Sequence, residues 1–296
     1  MSNLLCIFRR FTVMAACLTV SGCGIVGHGF LSPAGPIAAA ERHYFLIVCL
    51  VMLFVIGPVL ILTPVIAWHY RLANTHSAYR PDWNFSWLLE GLIWIPPSAI
   101  VIGLGVLLWQ YTHRLDPYRP LASPTPALEV QVVALDWKWL FIYPDQRVAS
   151  VNELVVRAGQ PVHLSLTSGT VMQSLLMPRL AGQIYAMAGM KTQLNFAADR
   201  PGTYLGENTQ FNGMGFQKQK FTVSARTAEG FDQWLAGVRA QPNRLDVSAY
   251  QALSVRSIVP HPLIFGAVDP GLFDRIVAQA FPNGHILKMK AAQGHE

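Results

Sequence analysis

The sequence predicts a membrane-anchored α+β protein with a two-helix transmembrane hairpin, an exported β-sandwich or Greek-key barrel, and a short helical tail. Hydrophobic residues make up 52% of the 296 residues and charged residues only 13%, about half the charged share of an ordinary soluble chain. Two long uncharged stretches are followed by short strand-like runs between turn residues. The net charge of +6 comes from scattered lysines and arginines, a distribution that argues against nucleic-acid binding.

Residues 1–22 are predicted to be a lipoprotein signal peptide. Arg9 and Arg10 form a basic start, and the apolar run after them is too short to cross a bilayer. The run ends in Val20-Ser21-Gly22-Cys23, which resembles a bacterial lipobox, where the peptide is cleaved before the cysteine and the thiol carries diacylglycerol. We expect acylation of Cys23, and an uncleaved signal with an incidental cysteine is the alternative.

Residues 23–114 are predicted to form the transmembrane hairpin. The spans cover about 44–68 and about 91–111, and each is long enough for the ~20 apolar residues that a bilayer core requires. A lipidated N-terminus faces outward, so two spans return the chain to the outer side of the membrane. The residues between the spans then form a cytoplasmic loop.

Residues 115–126 are a Pro-rich linker, residues 127–226 an exported β domain, and residues 227–296 a helical tail that packs on the β domain or on a partner. All four cysteines lie at or before Cys49. The β domain therefore has neither a disulfide nor a cysteine-based metal site. The predicted strands are residues 128–135, 137–143, 153–157, 162–167, 192–196 and 220–223.

Several segments resemble a known family. Two helices followed by an exported β-sandwich is the layout of subunit II of haem–copper respiratory oxidases, and the aromatic-rich segment 136–144 is similar to that family's. Residues 177–190 and 212–216 are similar to the quinol-oxidase branch, subunit II of bo-type ubiquinol oxidases. The resemblance runs along essentially the whole chain and implies a cupredoxin-like fold for the β domain.

The resemblance also implies where a dinuclear copper site would lie. A thiolate-bridged copper pair needs two cysteines together with histidine and methionine, and this chain has other residues at all of those positions. We therefore expect no metal and no other cofactor in this chain, with haems and copper in the partner subunit I. Counted from Gly202-Thr203-Tyr204, the two cysteines fall on Asn208 and Asn212, the two histidines on Gln173 and Phe216, the methionine on Gln219, and the carbonyl-donating glutamate on Gln210.

The function implied is that of a structural subunit of a proton-translocating ubiquinol:oxygen oxidoreductase of the aerobic respiratory chain. Its partners would be the haem-bearing subunit I, smaller membrane subunits and the lipid bilayer, with ubiquinol as substrate of the complex and no soluble cytochrome. It would lie in the bacterial inner membrane with its C-terminal domain on the periplasmic side. Two alternatives are a stand-alone membrane-anchored β-sandwich lipoprotein acting as a binding module, and a copper-carrying subunit or chaperone, which the missing cysteines disfavour.

Glu90 lies one residue before the second uncharged stretch. The resemblance implies that it is the entry carboxylate of a proton pathway into subunit I. The residues alone equally support a carboxylate that stabilises a helix N-terminus by ~0.3–1 kcal/mol, so both interpretations stay open. Trp137 and Trp139 are predicted to alternate on one strand, with packing against the catalytic subunit or the membrane rim as their role.

Overall fold

The computed structural model describes residues 29–74 and 82–279. These residues divide into two compact units, one of residues 40–116 and the other of residues 29–39 together with 117–279. The signal peptide, Cys23 and residues 280–296 of the predicted tail lie outside the described residues.

The first unit is built from two long apolar helices, α1 (Pro36–His69) and α2 (Trp87–Arg114). At 1.5 Å per residue, each is longer than the ~30 Å hydrocarbon core of a bilayer. Both are long and apolar enough to cross a membrane, and their most apolar windows are not buried within the protein. The rings of Tyr44 and Tyr111 stack with their centroids 4.5 Å apart. Both helices extend beyond the predicted spans because polar flanking residues continue the helical turns.

The second unit is a two-layered β-sandwich. The strands are β1 (Leu128–Leu135), β2 (Lys138–Tyr143), β3 (Val148–Val151), β4 (Glu153–Arg157), β5 (Pro161–Ser168), β6 (Gln173–Met177), β7 (Ala181–Ala186), β8 (Thr192–Ala197), β9 (Gly202–Asn208), β10 (Lys220–Arg226), β11 (Arg244–Leu245), β12 (Leu263–Phe265) and β13 (Ala267–Val268). The first sheet has the strand order β12-β3-β2-β1-β5-β8, with β1 parallel to β5, and the second has the order β4-β10-β9-β6-β7. The short strands β11 and β13 form a separate pair.

Strands β2 and β3 and the second half of β1 are buried on both faces of the first sheet. Alternate residues of β1 point to opposite sides of the sheet, so that Val132 packs in the core between the two sheets and Val133 packs in a second core on the outer face. The same alternation along β2 sends Phe141 inward and Leu140 outward. Burial on both faces explains why the sequences of these segments are largely continuous apolar runs, without regular alternation of apolar and polar residues.

Part of the C-terminal region covers that outer face. The region contains the helices α3 (Ala228–Arg239), α4 (Val247–Ser254) and α5 (Leu272–Gln279), of which α3 packs in the main core through Phe231 and Val238. Tyr250 of α4 and Phe273 of α5 pack in the second core. The predicted helical tail therefore packs on the β domain, and it also contributes strand β12, which pairs with β3 at the edge of the first sheet.

The prediction that Trp137 and Trp139 alternate on one strand is wrong. Strand β2 begins at Lys138, which pairs with Leu135 across a two-residue turn. Trp137 lies in that turn with φ of 68°, because such tight hairpins place a turn residue at positive φ. Trp139 is fully buried in the main core, whereas Trp137 lies at the end of the sandwich.

Candidate functional site

Four of the six positions at which the family would hold copper form one hydrogen-bonded group, the amide cluster (Gln173, Asn208, Asn212 and Gln219). Gln219 is at its centre. Its Oε1 accepts from Asn208 Nδ2 at 3.0 Å and from Asn212 Nδ2 at 2.7 Å. Its Nε2 donates to Gln173 Oε1 and, at 3.1 Å, to the carbonyl oxygen of Leu135. The cluster thus ties three loop or strand ends of the second sheet to the end of β1.

Strand pairing brings these side chains together. Asn208 ends β9 and Gln219 directly precedes β10, which is antiparallel to β9. The backbone N–H of Asn208 donates to the Gln219 carbonyl at 3.1 Å. Gln173 begins β6, the other neighbour of β9, and its Nε2 donates to Leu135 O at 3.2 Å. The side chains therefore meet where three adjacent strands end, and Gln173 and Gln219 are fully buried.

The other two positions take different places. Gln210 joins the network through its backbone, because its carbonyl accepts from Asn208 Nδ2 at 2.8 Å and its N–H donates to Asn208 Oδ1 at 3.0 Å. Phe216 lies in a short 3₁₀ turn, residues Phe216–Lys218. Its ring packs beside Phe211 with centroids 5.8 Å apart, and its carbonyl accepts from the backbone N–H of Gln219 at 3.0 Å.

The chemistry of the amide cluster does not fit a dinuclear copper centre. Copper in such a site is held by thiolate, imidazole and thioether ligands, whereas the cluster offers neutral amide groups, of which all but Asn212 Oδ1 are already hydrogen-bonded. Among the described residues there is also no group of three or more histidine, cysteine, aspartate or glutamate side chains placed to hold a metal ion. The arrangement can therefore position the surrounding loops, and it supplies no redox step.

Trp137 shapes the loop that carries Asn212. Its indole Nε1 donates to the Asn212 carbonyl at 3.3 Å. A Cβ on Gly215 would lie 2.2 Å from the indole ring, so only glycine permits this contact. Gly213, with φ of 110°, turns the chain between them. Two glycines two residues apart, Gly213 and Gly215, were the sequence signal for this close packing. The prediction that Trp137 lies on a strand did not use that signal.

The loop leaves an apolar tip at the end of the sandwich. Met214 is 97% exposed and Phe211 is 72% exposed. We name these two residues, together with the half-buried Trp137, the apolar tip. Exposed side chains of this size next to one another are typical of a surface that contacts another protein or a membrane.

A buried lysine connects the amide-cluster end of the sandwich to the C-terminal region, and sequence reasoning assigned it no role. Lys138 is fully buried, and its Nζ donates to Leu253 O at 2.9 Å, Val255 O at 2.8 Å and Ser257 Oγ at 2.7 Å. Burial lowers the pKa of Lys138, and the nearby carboxylate of Asp136 opposes that shift. A lysine inside an otherwise apolar strand was the available signal, since such a charge must find partners.

Arg256 adds a second connection at the same place. Its Nε lies 2.8 Å from Asp136 Oδ2, and Asp136 directly precedes Trp137. The Lys138 bonds also satisfy carbonyls at the C-terminal end of α4, where a positive charge is favourable. Charged hydrogen bonds therefore hold the C-terminal region to Asp136 and Lys138, the two neighbours of Trp137 in the chain.

Glu90 lies in the first turn of α2, four residues after Ser86, the residue that precedes the helix. Its Oε2 accepts a hydrogen bond from Trp94 Nε1 at 3.0 Å. This position suits a carboxylate that stabilises the helix start, and it leaves the second carboxylate oxygen for other partners. The geometry is compatible with both interpretations of Glu90.

Two family models match the chain. The model described as the cytochrome c oxidase subunit II periplasmic domain matches residues 144–225. The model described as the COX aromatic rich motif matches residues 239–282, which include the segments that cover the outer face of the first sheet.

Relatives match over most of the chain. The cytochrome bo(3) ubiquinol oxidase subunit 2 of Pseudomonas putida is 42% identical over 260 residues, which are 88% of this chain and 82% of that protein. The ubiquinol oxidase subunit 2 of Acetobacter aceti is 39% identical over 288 residues, 97% of this chain and 92% of that protein. Among solved structures, the periplasmic domain of subunit II of cytochrome oxidase (CoxB) of Bradyrhizobium japonicum is 20% identical, with a TM-score of 0.37, over 39% of this chain and 96% of that chain. The sequence relatives establish the family by their identity and coverage. The structural similarity, at a TM-score of 0.37, carries no part of that assignment.

Proposed function

The chain belongs to the ubiquinol oxidase subunit 2 family of the respiratory chain, and we propose that it supports the haem-bearing subunit I of a proton-translocating ubiquinol:oxygen oxidoreductase. In this role the chain carries no redox centre of its own. Haems and copper belong to subunit I, and electrons reach them from ubiquinol without passing through the β-sandwich. The family membership favours this function over that of a stand-alone binding module.

The observation that carries the proposal is the amide cluster. An electron-transfer domain needs a centre that changes its oxidation state, and the side chains at the copper positions are amides bonded to one another. Gln219 and Gln173 are fully buried, so the cluster serves as a packed part of the domain. The β-sandwich thus keeps a cupredoxin-like architecture and uses it to present a fixed surface.

The apolar tip is the part of that surface that we propose contacts subunit I. The side chains of Met214 and Phe211 are exposed and do not pack in the interior of the sandwich, and Trp137 contacts their loop at Asn212 and Gly215. Large apolar side chains at the centre of an interface commonly supply much of its binding energy. The proposal therefore gives the tip a structural role.

The test is an optical and metal analysis of what purifies with this chain after gentle solubilisation of membranes. We expect haem absorption bands from a co-purifying large subunit, with copper in proportion to that subunit alone. A colourless chain that purifies by itself would favour the stand-alone lipoprotein. Copper bound to the separated chain in stoichiometric amount would contradict the proposal and favour a copper carrier.

We further propose that Glu90 admits protons to subunit I. Replacing it by glutamine keeps the size of the side chain and the hydrogen bond from Trp94, and removes the group that can bind and release a proton. The expected result is a several-fold loss of turnover and proton uptake in the assembled oxidase. Both are measured in vesicles as oxygen consumption and pH change.

The control for Glu90→Gln is Trp94→Phe. This change removes the hydrogen bond to Glu90 and leaves its carboxylate in place, so turnover should stay near that of the wild type. If Glu90 only stabilises the start of α2, Glu90→Gln will turn over and take up protons like the wild type, and the proton-pathway proposal fails.

For its location, we propose the bacterial inner membrane, with the β-sandwich on the periplasmic side and Cys23 acylated after removal of residues 1–22. Two helices long enough to cross a membrane and the match to a periplasmic-domain model support this placement. An N-terminal peptide that begins at Cys23 and carries the mass of its acyl groups is the expected finding. A peptide that begins at Met1 would contradict it.

A further inference from the structure

Residues 32–35, which we name the strap, lie on the β-sandwich although they precede both membrane helices in the chain. The backbone N–H of Ala34 donates to the Arg179 carbonyl at 2.7 Å, and the Ala34 carbonyl accepts from the Asp199 N–H at 2.8 Å. The Ala34 side chain is 2% exposed and packs in the main core of the sandwich. The strap is therefore bonded on both sides, to the turn after β6 and to the turn after β8.

The side chain of Arg179 adds a further contact to the strap. Its Nε donates to the Ser32 carbonyl at 2.8 Å, and Nη2 lies 3.5 Å from Ser32 Oγ. Its guanidinium stacks over the ring of Tyr204, 5.3 Å from the centroid. Arg179 thus bridges the strap and strand β9, and its planar charged group is held by both hydrogen bonding and stacking.

Gly35 shows how closely the two backbones approach. A Cβ at this position would lie 2.2 Å from the Ala197 carbonyl oxygen and 3.1 Å from that of Leu180. Both neighbours are backbone atoms, which cannot rotate away as a side-chain tip would. Only glycine fits here, so the close fit of the strap depends on the residue at one position.

We propose that the strap is a second attachment of the β-sandwich to the membrane-anchored part of the chain. The other attachment is the linker, residues 115–126, in which the Pro117 carbonyl accepts from the backbone N–H and from Nδ2 of Asn195, both at 3.0 Å, and whose last residues are exposed and Pro-rich. A domain held through one such linker keeps much rotational freedom, and a second attachment removes part of it before any partner binds. The sandwich is then preorganised for association, because less freedom is lost on docking.

The experiment uses the full chain, without other subunits, in phosphatidylcholine vesicles. A protease site inserted between the exposed residues Ala122 and Ser123 allows the linker to be cut. After the cut, the sandwich of the parent chain is expected to float with the vesicles, because the strap still holds it. The sandwich of Gly35→Ala is expected in the soluble fraction, since the added Cβ prevents the strap from docking and the two bonds from Asn195 to the Pro117 carbonyl are too few to hold the domain alone. The matched control is Gly103→Ala in α2, where an added Cβ meets nothing within 4 Å.

Hydrogen–deuterium exchange of the uncut chain provides the second measurement. The amides of Ala34 and Asp199 are expected to exchange slowly in the parent chain and at least about tenfold faster in Gly35→Ala. Unchanged protection of the amides of β5 in the variant shows that the sandwich is still folded. Release of the parent sandwich after the cut, or exchange of its Ala34 amide as fast as that of the exposed Ser123, overturns the proposal. Neither result bears on haem co-purification, so the proposal can fail while the proposed function stands.

Discussion

Replacing Lys138 by methionine is expected to lower the free energy of unfolding of the β-sandwich by about 2–4 kcal/mol, because hydrogen bonds from a charged donor contribute about 1.5–3 kcal/mol each and losses within one group do not add fully. The ammonium group donates to three acceptors, Leu253 O, Val255 O and Ser257 Oγ. Methionine fills similar space and donates to none of them, so two carbonyls at the end of α4 lose their partner. Denaturant unfolding of the full chain, followed by tryptophan fluorescence, measures the change.

The matched control is Lys191→Met. Lys191 pairs with Asp274 on the surface, where its side chain is 49% exposed, and exposed pairs contribute about 0–1 kcal/mol. Limited proteolysis adds a local measurement, because the segment around Leu253–Ser257 should be cut first in Lys138→Met. If Lys138→Met unfolds at the same denaturant concentration as Lys191→Met, the buried ammonium does not hold the tail to the sheet.

The sequence predicted those elements of the fold that are determined by a local property, such as an apolar run or a long uncharged stretch. Strand β1 was predicted with its observed bounds, Leu128–Leu135. A short apolar run between a Pro-rich linker and a turn is typical of a strand, and the flanking residues mark where it begins and ends. The two membrane helices follow from length and lack of charge alone. Strands β3, β6, β7 and β9 of the β domain were missed, since glycine, glutamine and serine among their residues weaken the apolar pattern. Strand β6 pairs with β9 and β7 pairs with β6, and this pairing is not local information.

For the candidate site, too, the sequence predicted the local feature, the positions of the residues, and not their contacts. Counting along the chain named the six copper positions, and pairing among β6, β9 and β10 brings four of them together. Counting could not show that Gln219 would be the centre, because its partners come from Leu135, Gln173 and Asn208, on separate strands. The role of Lys138 was likewise hidden, since its acceptors are more than a hundred residues away in sequence.

Gln219→Leu is expected to lower the free energy of unfolding of the β-sandwich by about 2–4 kcal/mol, because it leaves two polar groups, Asn212 Nδ2 and Gln173 Oε1, without their partner, each worth about 1–3 kcal/mol. The Nδ2 groups of Asn208 and Asn212 lose their shared acceptor. Gln173 Oε1 loses its donor, and the Leu135 carbonyl keeps only its bond from Gln173. The total loss of unfolding free energy stays below the sum of the separate losses, because the surrounding loop can relax and admit water.

The neighbouring Gln217→Leu is the control. Gln217 is exposed in the same 3₁₀ turn, so the same chemical change there should alter the unfolding free energy by less than about 0.5 kcal/mol. If both variants unfold alike, the amide cluster is not what stabilises this end of the sandwich. If Gln219→Leu is destabilised and also retains less haem-bearing partner on purification, the hydrogen bonds at the copper positions hold the loop of Met214 in its docking conformation. A cupredoxin-like domain can then exchange the coordination bonds of a metal for a network of amides and still present a fixed surface to its partner.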